Sequence, residues 1–351
     1  MDAQKALVGG ALGQYQIAKD VEIPKAKPGT MLCRVMAVAL NPADWKMVDF
    51  SATPGSIGGN DFAGEVIEVG DGVTRFRAGD RIFGMMFGLN PTDKLTGSFC
   101  QYAMATEDLA CKIPDHMTYE DASTFGVAVG TAGTALFQTL GLPLPGSIQG
   151  KNTSTFVLVS GGATATGTVA IQLLKASGLT PIATCSPGNR NLVLSLGAAE
   201  TFDYHSSTCA MEIRNYTKNS LSHVLDCVTQ AETMKMCYEA IGTDGGKYVA
   251  LDPFSTHIQY TRRDVKAEWL MIYSLFGIPV RLSGVYGRPA RPQDRQFASV
   301  LFPITERLIQ DGQLKPHPVE VRQGGLEAIA TGIEDMRSSQ VKGRKLVYSI
   351  A

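Results

Sequence analysis

The chain has 351 residues, 44% of them hydrophobic and 19% charged, with a formal net charge of −1. This suits a two-domain globular protein with ample core and argues against nucleic acid or an anionic membrane as the main partner. No basic-then-apolar leader opens the chain and no apolar run is long enough for a bilayer, so the cytoplasm is the expected compartment.

Residues 1 to about 120 carry β patterns between Gly/Pro turns, as at 31–39, 64–69 and 81–84, and read as a compact β-barrel-like domain. Helical spacing begins near Tyr119 and runs to Leu140, rich in Gly and Ala, and a Pro/Gly linker is expected over 142–151. Strands and helices then alternate. Strands are expected at 156–160, 181–185, 201–204, 223–227 and 246–251, and helices around 166–177, 189–196, 208–217 and 231–241. Repeated βα units predict an α/β fold with a doubly wound parallel sheet. The apolar run 269–280 reads as an edge strand, followed by a Pro/Arg-rich loop at 286–295. Helices near 295–311 and 324–337 and a last strand at 345–350 close the chain. The expected domains are 1–120 with 312–351, and 121–311.

The seven cysteines are scattered and none forms C-x-x-C, so buried free thiols are expected rather than a disulfide framework or a zinc knuckle.

Residues 155–167, TFVLVSGGATATG, place a small-residue turn between a strand and a helix. That layout sets an anion on free backbone N–H groups at a helix N-terminus. Gly161 and Gly167 keep the ends of a dinucleotide fingerprint, Gly162 is extra, and Thr164 holds the middle position. An NAD enzyme usually places an acid near the end of the next strand, yet none occurs from 178 to 196. The run Ser186, Pro187, Gly188, Asn189, Arg190 instead offers a hydroxyl, an amide and a guanidinium, which suit a ribose phosphate. NADPH is therefore the expected cofactor.

Together with that fingerprint, Asn41-Pro42-Ala43-Asp44, the run 58–64 (GGNDFAG), Val69-Gly70 and Gly79-Asp80-Arg81 resemble the zinc-free, quinone-reductase-like branch of the medium-chain dehydrogenase/reductase superfamily. The resemblance covers essentially the whole chain. It implies a GroES-like catalytic domain beside a Rossmann domain. The runs 161–166 (GGATAT), 183–187 (ATCSP), 202–204 (FDY), 225–227 (LDC), 286–289 (YGRP) and 345–348 (KLVY) narrow it to the trans-acting enoyl reductases of fungal polyketide synthesis. Such enzymes serve a polyketide synthase, or a synthase–peptide synthetase hybrid, and reduce the α,β-double bond of a thioester held on its acyl carrier protein. A free-standing NADPH quinone or enone reductase and a non-catalytic nucleotide-binding partner remain alternatives.

Zinc enzymes of the superfamily need converging Cys, His and acidic ligands. Here Asn41-Pro42-Ala43-Asp44 lacks the Cys and Gly59-Asn60-Asp61 replaces the Gly-His-Glu, so no metal is expected.

The resemblance places Ala43, Asp44, Trp45 and Lys46 at the nicotinamide end, with Lys46 the catalytic candidate. It places Ala163, Thr164, Ala165 and Thr166 at the pyrophosphate, with threonine hydroxyls offsetting the lost glycine. Ser186, Gly188, Asn189 and Tyr204 flank the ribose phosphate, and Leu251, Asp252, Val341 and Lys342 close over the cofactor. A small-residue helix (Ala132, Gly133, Thr134, Ala135, Leu136, Phe137, Gln138, Thr139) and an apolar wall (Met271, Ile272, Tyr273, Ser274, Leu275) are the expected substrate lining. No Tyr occurs at 47–52, where related mitochondrial enoyl reductases carry one after the Asp, which weakens a tyrosine-donor mechanism. Arg288, Arg291 and Arg295 form a basic loop suited to an acidic carrier protein. Pro279 blunts an edge, and a monomer is expected.

Overall fold

Alternating apolar residues and β-branched side chains set the first strands of the structure, a computed structural model that describes residues 3–51, 53–147 and 155–350. Strands β1 (Ala3–Gly9) and β2 (Tyr15–Glu22) form an antiparallel pair. After β3 (Thr30–Ala39), helix α1 (Pro42–Phe50) begins with Pro42, whose fixed φ and missing N–H suit a first helical position. Strands β4 (Asp61–Val69), β5 (Arg81–Met85), β6 (Tyr102–Thr106) and β7 (Ala110–Lys112) follow, then helices α2 (Tyr119–Ala122) and α3 (Gly126–Gly133).

The second region alternates as the sequence predicts: β8 (Phe156–Ser160), α4 (Ala165–Ala176), β9 (Thr180–Thr184), α5 (Arg190–Ser195), β10 (Glu200–Phe202), α6 (Cys209–Tyr216), β11 (His223–Asp226), α7 (Ala231–Ala240), β12 (Gly246–Ala250), α8 (Thr256–Gln259) and β13 (Val265–Trp269). The sheet order is β10-β9-β8-β11-β12-β13 and every pairing is parallel. This is the doubly wound order, with the chain reversing direction next to β8, where such sheets take ligands. The apolar run of β8 is buried because helices cover both faces of such a sheet.

Helix α9 (Pro292–Gln310), strand β14 (Val319–Arg322), helix α10 (Gly325–Arg337) and strand β15 (Lys345–Ser349) complete the chain. The first region's larger sheet runs β14-β15-β3-β4-β5-β7, with β6 also on β3. The chain divides into two compact units. One holds residues 1–130, 273–311 and 316–351, the other 131–272 and 312–315. Helix α9 packs on β7 within the first unit.

Two expectations are corrected. The helix expected over 119–140 is broken. The turn after α2 interrupts it, and residues 134–139 wind with i→i+5 bonds, closed by Leu140 N to Ala135 O at 2.9 Å. The edge strand expected at 269–280 is displaced: β13 ends at Trp269 and residues 272–276 form a 3₁₀ turn. Apolar runs alone do not distinguish strand from buried turn. The linker expected over 142–151 falls partly at 148–151, outside the described residues. All cysteines are free thiols, buried except Cys227, which is half-buried. Among the described residues no helix is long and apolar enough to cross a membrane.

Candidate functional site

The turn between β8 and α4 is held against β9. Gly161 N donates to Thr184 Oγ1 (3.1 Å) and Gly162 N to Thr184 O (2.8 Å). An added Cβ at Gly167 would lie 2.4 Å from Gly161 O, so this close return of the chain requires glycine. Thr164 caps α4: its hydroxyl donates to Gly161 O (2.8 Å) and accepts from Gly167 N (3.0 Å). A hydroxyl has one proton, and in this arrangement the cap engages it. The N–H groups of Ala163, Ala165 and Thr166 carry no partner among the described residues. They form the anion cradle that a dinucleotide pyrophosphate fits.

Beyond β9, Ser186 to Asn189 make a 3₁₀ turn, with Asn189 Nδ2 donating to Ser186 Oγ (3.1 Å) and Pro187 and Gly188 exposed. Arg190 is tied back to β10 through Glu200 (2.9 Å) and Thr201 Oγ1 (2.7 Å), which fixes a guanidinium at this corner. Tyr204 is 46% exposed and its ring lies 4.1 Å from that of His205. Leu251 N donates to Thr229 Oγ1 (3.1 Å), and Asp252 is half-buried beside it. Val341 packs on the first unit's core, while Lys342 is exposed.

Helix α1 carries the catalytic candidate. Ala43, Trp45 and Lys46 are half-buried, and the Lys46 ammonium lies 5.8 Å from the centre of the Trp45 ring. Asp44 differs: it is 1% exposed. Its carboxyl accepts from Asn41 N (2.7 Å) and Asn60 Nδ2 (2.6 Å). Burial outweighs these bonds and pushes its pKa up to about 7. The Asp44 carboxyl is thus bonded inside the fold, where it seats the start of α1.

Beside it lies a second buried cluster. Lys345 Nζ meets Asp61 Oδ2 at 2.6 Å and Asn41 Oδ1 at 2.9 Å. Asp61 also accepts from Asn41 Nδ2 (2.9 Å) and from Val127 N (2.6 Å) at the start of α3. Gly126 makes that approach possible, since an added Cβ would lie 2.7 Å from Asp61 Oδ1. Buried His317 has its pKa lowered to about 4, first by desolvation and then by Lys345. This donor set does not fit zinc: an ammonium already neutralises Asp61, and Asn41 and Asn60 are amides bonded to carboxylates. Among the described residues no cluster of three or more His, Cys, Asp or Glu is placed to hold a metal.

Of the expected substrate lining, Ala132, Ala135 and Leu136 are fully buried, and Gly133, Thr134 and Phe137 are buried too; only Gln138 and Thr139 are partly open. The small residues of this stretch pack inside the fold. In the second segment Met271 and Ile272 are half-buried, while Tyr273, Ser274 and Leu275 are buried. Tyr273 stacks on Phe87 (centroids 4.1 Å, planes 7° apart), and its hydroxyl donates to Asn60 Oδ1 (2.9 Å). The residues that follow Asp44 hold no tyrosine through position 52, so the local sequence gives no signal for the two that approach α1. Tyr273 and Tyr15, whose hydroxyl donates to Asp44 O (2.8 Å), arrive from distant strands and turns. In the basic loop, Arg291 pairs with Asp294 and Arg295 with Asp108, both at 2.8 Å, and Arg288 bonds backbone carbonyls. The loop's charge is partly neutralised within the fold.

Residues 27–115 match the alcohol dehydrogenase GroES-like domain family, and residues 165–264 match the zinc-binding dehydrogenase family. The chain is 55% identical over 347 residues to a trans-enoyl reductase of Gibberella fujikuroi, covering 99% of each protein. It is 49% identical to trans-enoyl reductase grgB of a Penicillium species, covering 99% of this chain and 98% of that one. The solved structure of CurK enoyl reductase superposes with a TM-score of 0.77 at 17% identity over 100% of both chains. A quinone oxidoreductase from Coxiella burnetii superposes with a TM-score of 0.71 at 22% identity over 99% of each. The fold is that of the nicotinamide-dependent medium-chain oxidoreductases, and by its full-length likeness the chain belongs to the trans-enoyl reductases.

Proposed function

We propose that the protein reduces the α,β-double bond of a polyketide thioester presented by the acyl carrier protein of a polyketide synthase or synthase–peptide synthetase hybrid, using NADPH and acting as a monomer in the cytoplasm. The full-length 55% identity to a named trans-enoyl reductase carries this reading. NADPH rather than NADH is supported by the corner after β9, where Ser186, Asn189 and Arg190, anchored by Glu200, stand and where the chain from 178 to 196 carries no acid. Such a corner favours an added phosphate over bare ribose hydroxyls.

Ala163, Ala165 and Thr166 would hold the pyrophosphate through their N–H groups. A nicotinamide, when bound, would supply hydride for the β-carbon of the thioester. Charge then grows on the thioester oxygen, and donors aimed there lower the barrier. Lys46 is the group proposed for that work: its ammonium stabilises the enolate and is a source of the proton taken up at the α-carbon. Met271 and Ile272 meet the apolar chain of the substrate. Methionine adapts to varied shapes, which suits a chain that grows between visits.

The test is NADPH oxidation by the purified protein with an enoyl thioester, followed by product mass. Saturation of the double bond supports the reading. A folded protein that binds NADPH but leaves every enoyl thioester intact, alone or with its synthase, refutes it.

A further inference from the structure

We propose that Asn60 and Tyr273 are positioning residues for the reduction, acting through the inner face of α1 to aim Lys46. The inference rests on the reading of Lys46 given above.

Asn60 is 2% exposed, and its side chain makes three hydrogen bonds. Its Nδ2 donates to Asp44 Oδ1 at 2.6 Å, and its Oδ1 accepts from Tyr273 Oη at 2.9 Å and from Gly88 N at 3.1 Å. The Gly88 N–H sets its amide orientation, since a flipped amide would turn its NH₂ toward that fixed donor. Tyr273 Oη also lies 2.7 Å from Met47 Sδ. The hydroxyl has one proton, and the amide oxygen is the stronger acceptor, so the sulfur contact is packing against the same helix.

Asp44 and Met47 are three residues apart and share one face of α1. Lys46 lies about 200° around the helix from Asp44 and about 100° from Met47 at 3.6 residues per turn, and so leaves from a different face. The Asn60–Tyr273 pair therefore grips α1 at two points and fixes its rotation about its axis. That rotation sets the direction of Lys46. Tyr15 adds a third grip at the Asp44 carbonyl. A helix held only by apolar contacts tolerates small rotations, and a small misplacement of a reacting group is costly to rate.

Tyr273→Phe deletes the hydroxyl and keeps the ring on Phe87. Asn60→Ala cuts the same link at its other end. Each is assayed for kcat and KM with an N-acetylcysteamine enoyl thioester, for NADPH affinity and for melting temperature, alone and combined with Lys46→Ala. Each single variant is expected to lower kcat about tenfold while NADPH affinity stays within about twofold. Added to Lys46→Ala, each is expected to change kcat less than about twofold, because the group it positions is gone. Wild-type kcat in Tyr273→Phe, or equal losses in both backgrounds, overturns the inference and leaves the role of Lys46 standing. Wild-type kcat in Lys46→Ala refutes the role of Lys46 itself, and the inference falls with it.

Discussion

The Lys345 ammonium lies 2.6 Å from the Asp61 carboxylate, with the two side chains 3% and 0% exposed. The pair joins β15, near the end of the chain, to the start of β4, and it holds Asn41 at the head of α1. Breaking a buried ion pair leaves an uncompensated charge in the interior. Lys345→Met is therefore expected to lower unfolding stability by about 3–5 kcal/mol. Adding Asp61→Asn should restore a substantial part of the loss, since the stranded charge is then removed. Urea unfolding of the wild type, the single variant and the double variant checks both expectations.

Asp44 predicts a pH dependence of stability. Burial raises its pKa from 3.8 to about 7 in the folded protein. Between those values the native state holds a proton that the unfolded chain has released. The contribution of Asp44 is therefore favourable at low pH and is lost as pH rises through about 7. The span is at most about 4 kcal/mol. Asp44→Asn does not titrate, so the stability of the wild type minus that of the variant should fall between pH 4 and pH 7 and flatten above. Denaturant titrations of both proteins at pH 4.5 and pH 8 measure this, and a difference that rises with pH contradicts the assignment.

Thr164 separates capping from cofactor binding. Thr164→Ala should cost about 1 kcal/mol of stability, the usual loss for a missing N-cap. NADPH affinity should change little, because the proposed anion donors are backbone groups. Calorimetric titration beside thermal unfolding distinguishes the two roles. A large loss of affinity at unchanged stability would return the hydroxyl to the phosphate.

The anchored Arg190 predicts coenzyme choice. Arg190→Ala should raise the KM for NADPH about tenfold or more while leaving that for NADH nearly unchanged, since only the former carries the extra phosphate. Glu200→Gln, which loosens the anchor at 2.9 Å, should act in the same direction with a smaller effect. Steady-state kinetics with both nucleotides give the result.

Much of the dinucleotide-binding unit was legible in the sequence because its signals are local. Residues 156–160 and 165–176 are a strand and a helix by their own periodicity, and the turn between them is defined by consecutive small residues. The same locality misled at 269–280, where an apolar run read as one strand turned out to be the end of β13 and a buried 3₁₀ turn.

The amino-acid sequence by itself determined the alternation of strands and helices and the backbone cradle at 161–167, because hydrophobic period, turn residues and helix caps act over a few neighbours. Only the tertiary structure decided what Asp44, Asn60, Asp61, Tyr273 and Lys345 do. These residues meet across separations of up to 284 positions, as Lys345 does with Asp61. Their hydrogen bonds and the desolvation that shifts their charge exist only after the chain has closed around them, so no short window of sequence contains the interaction.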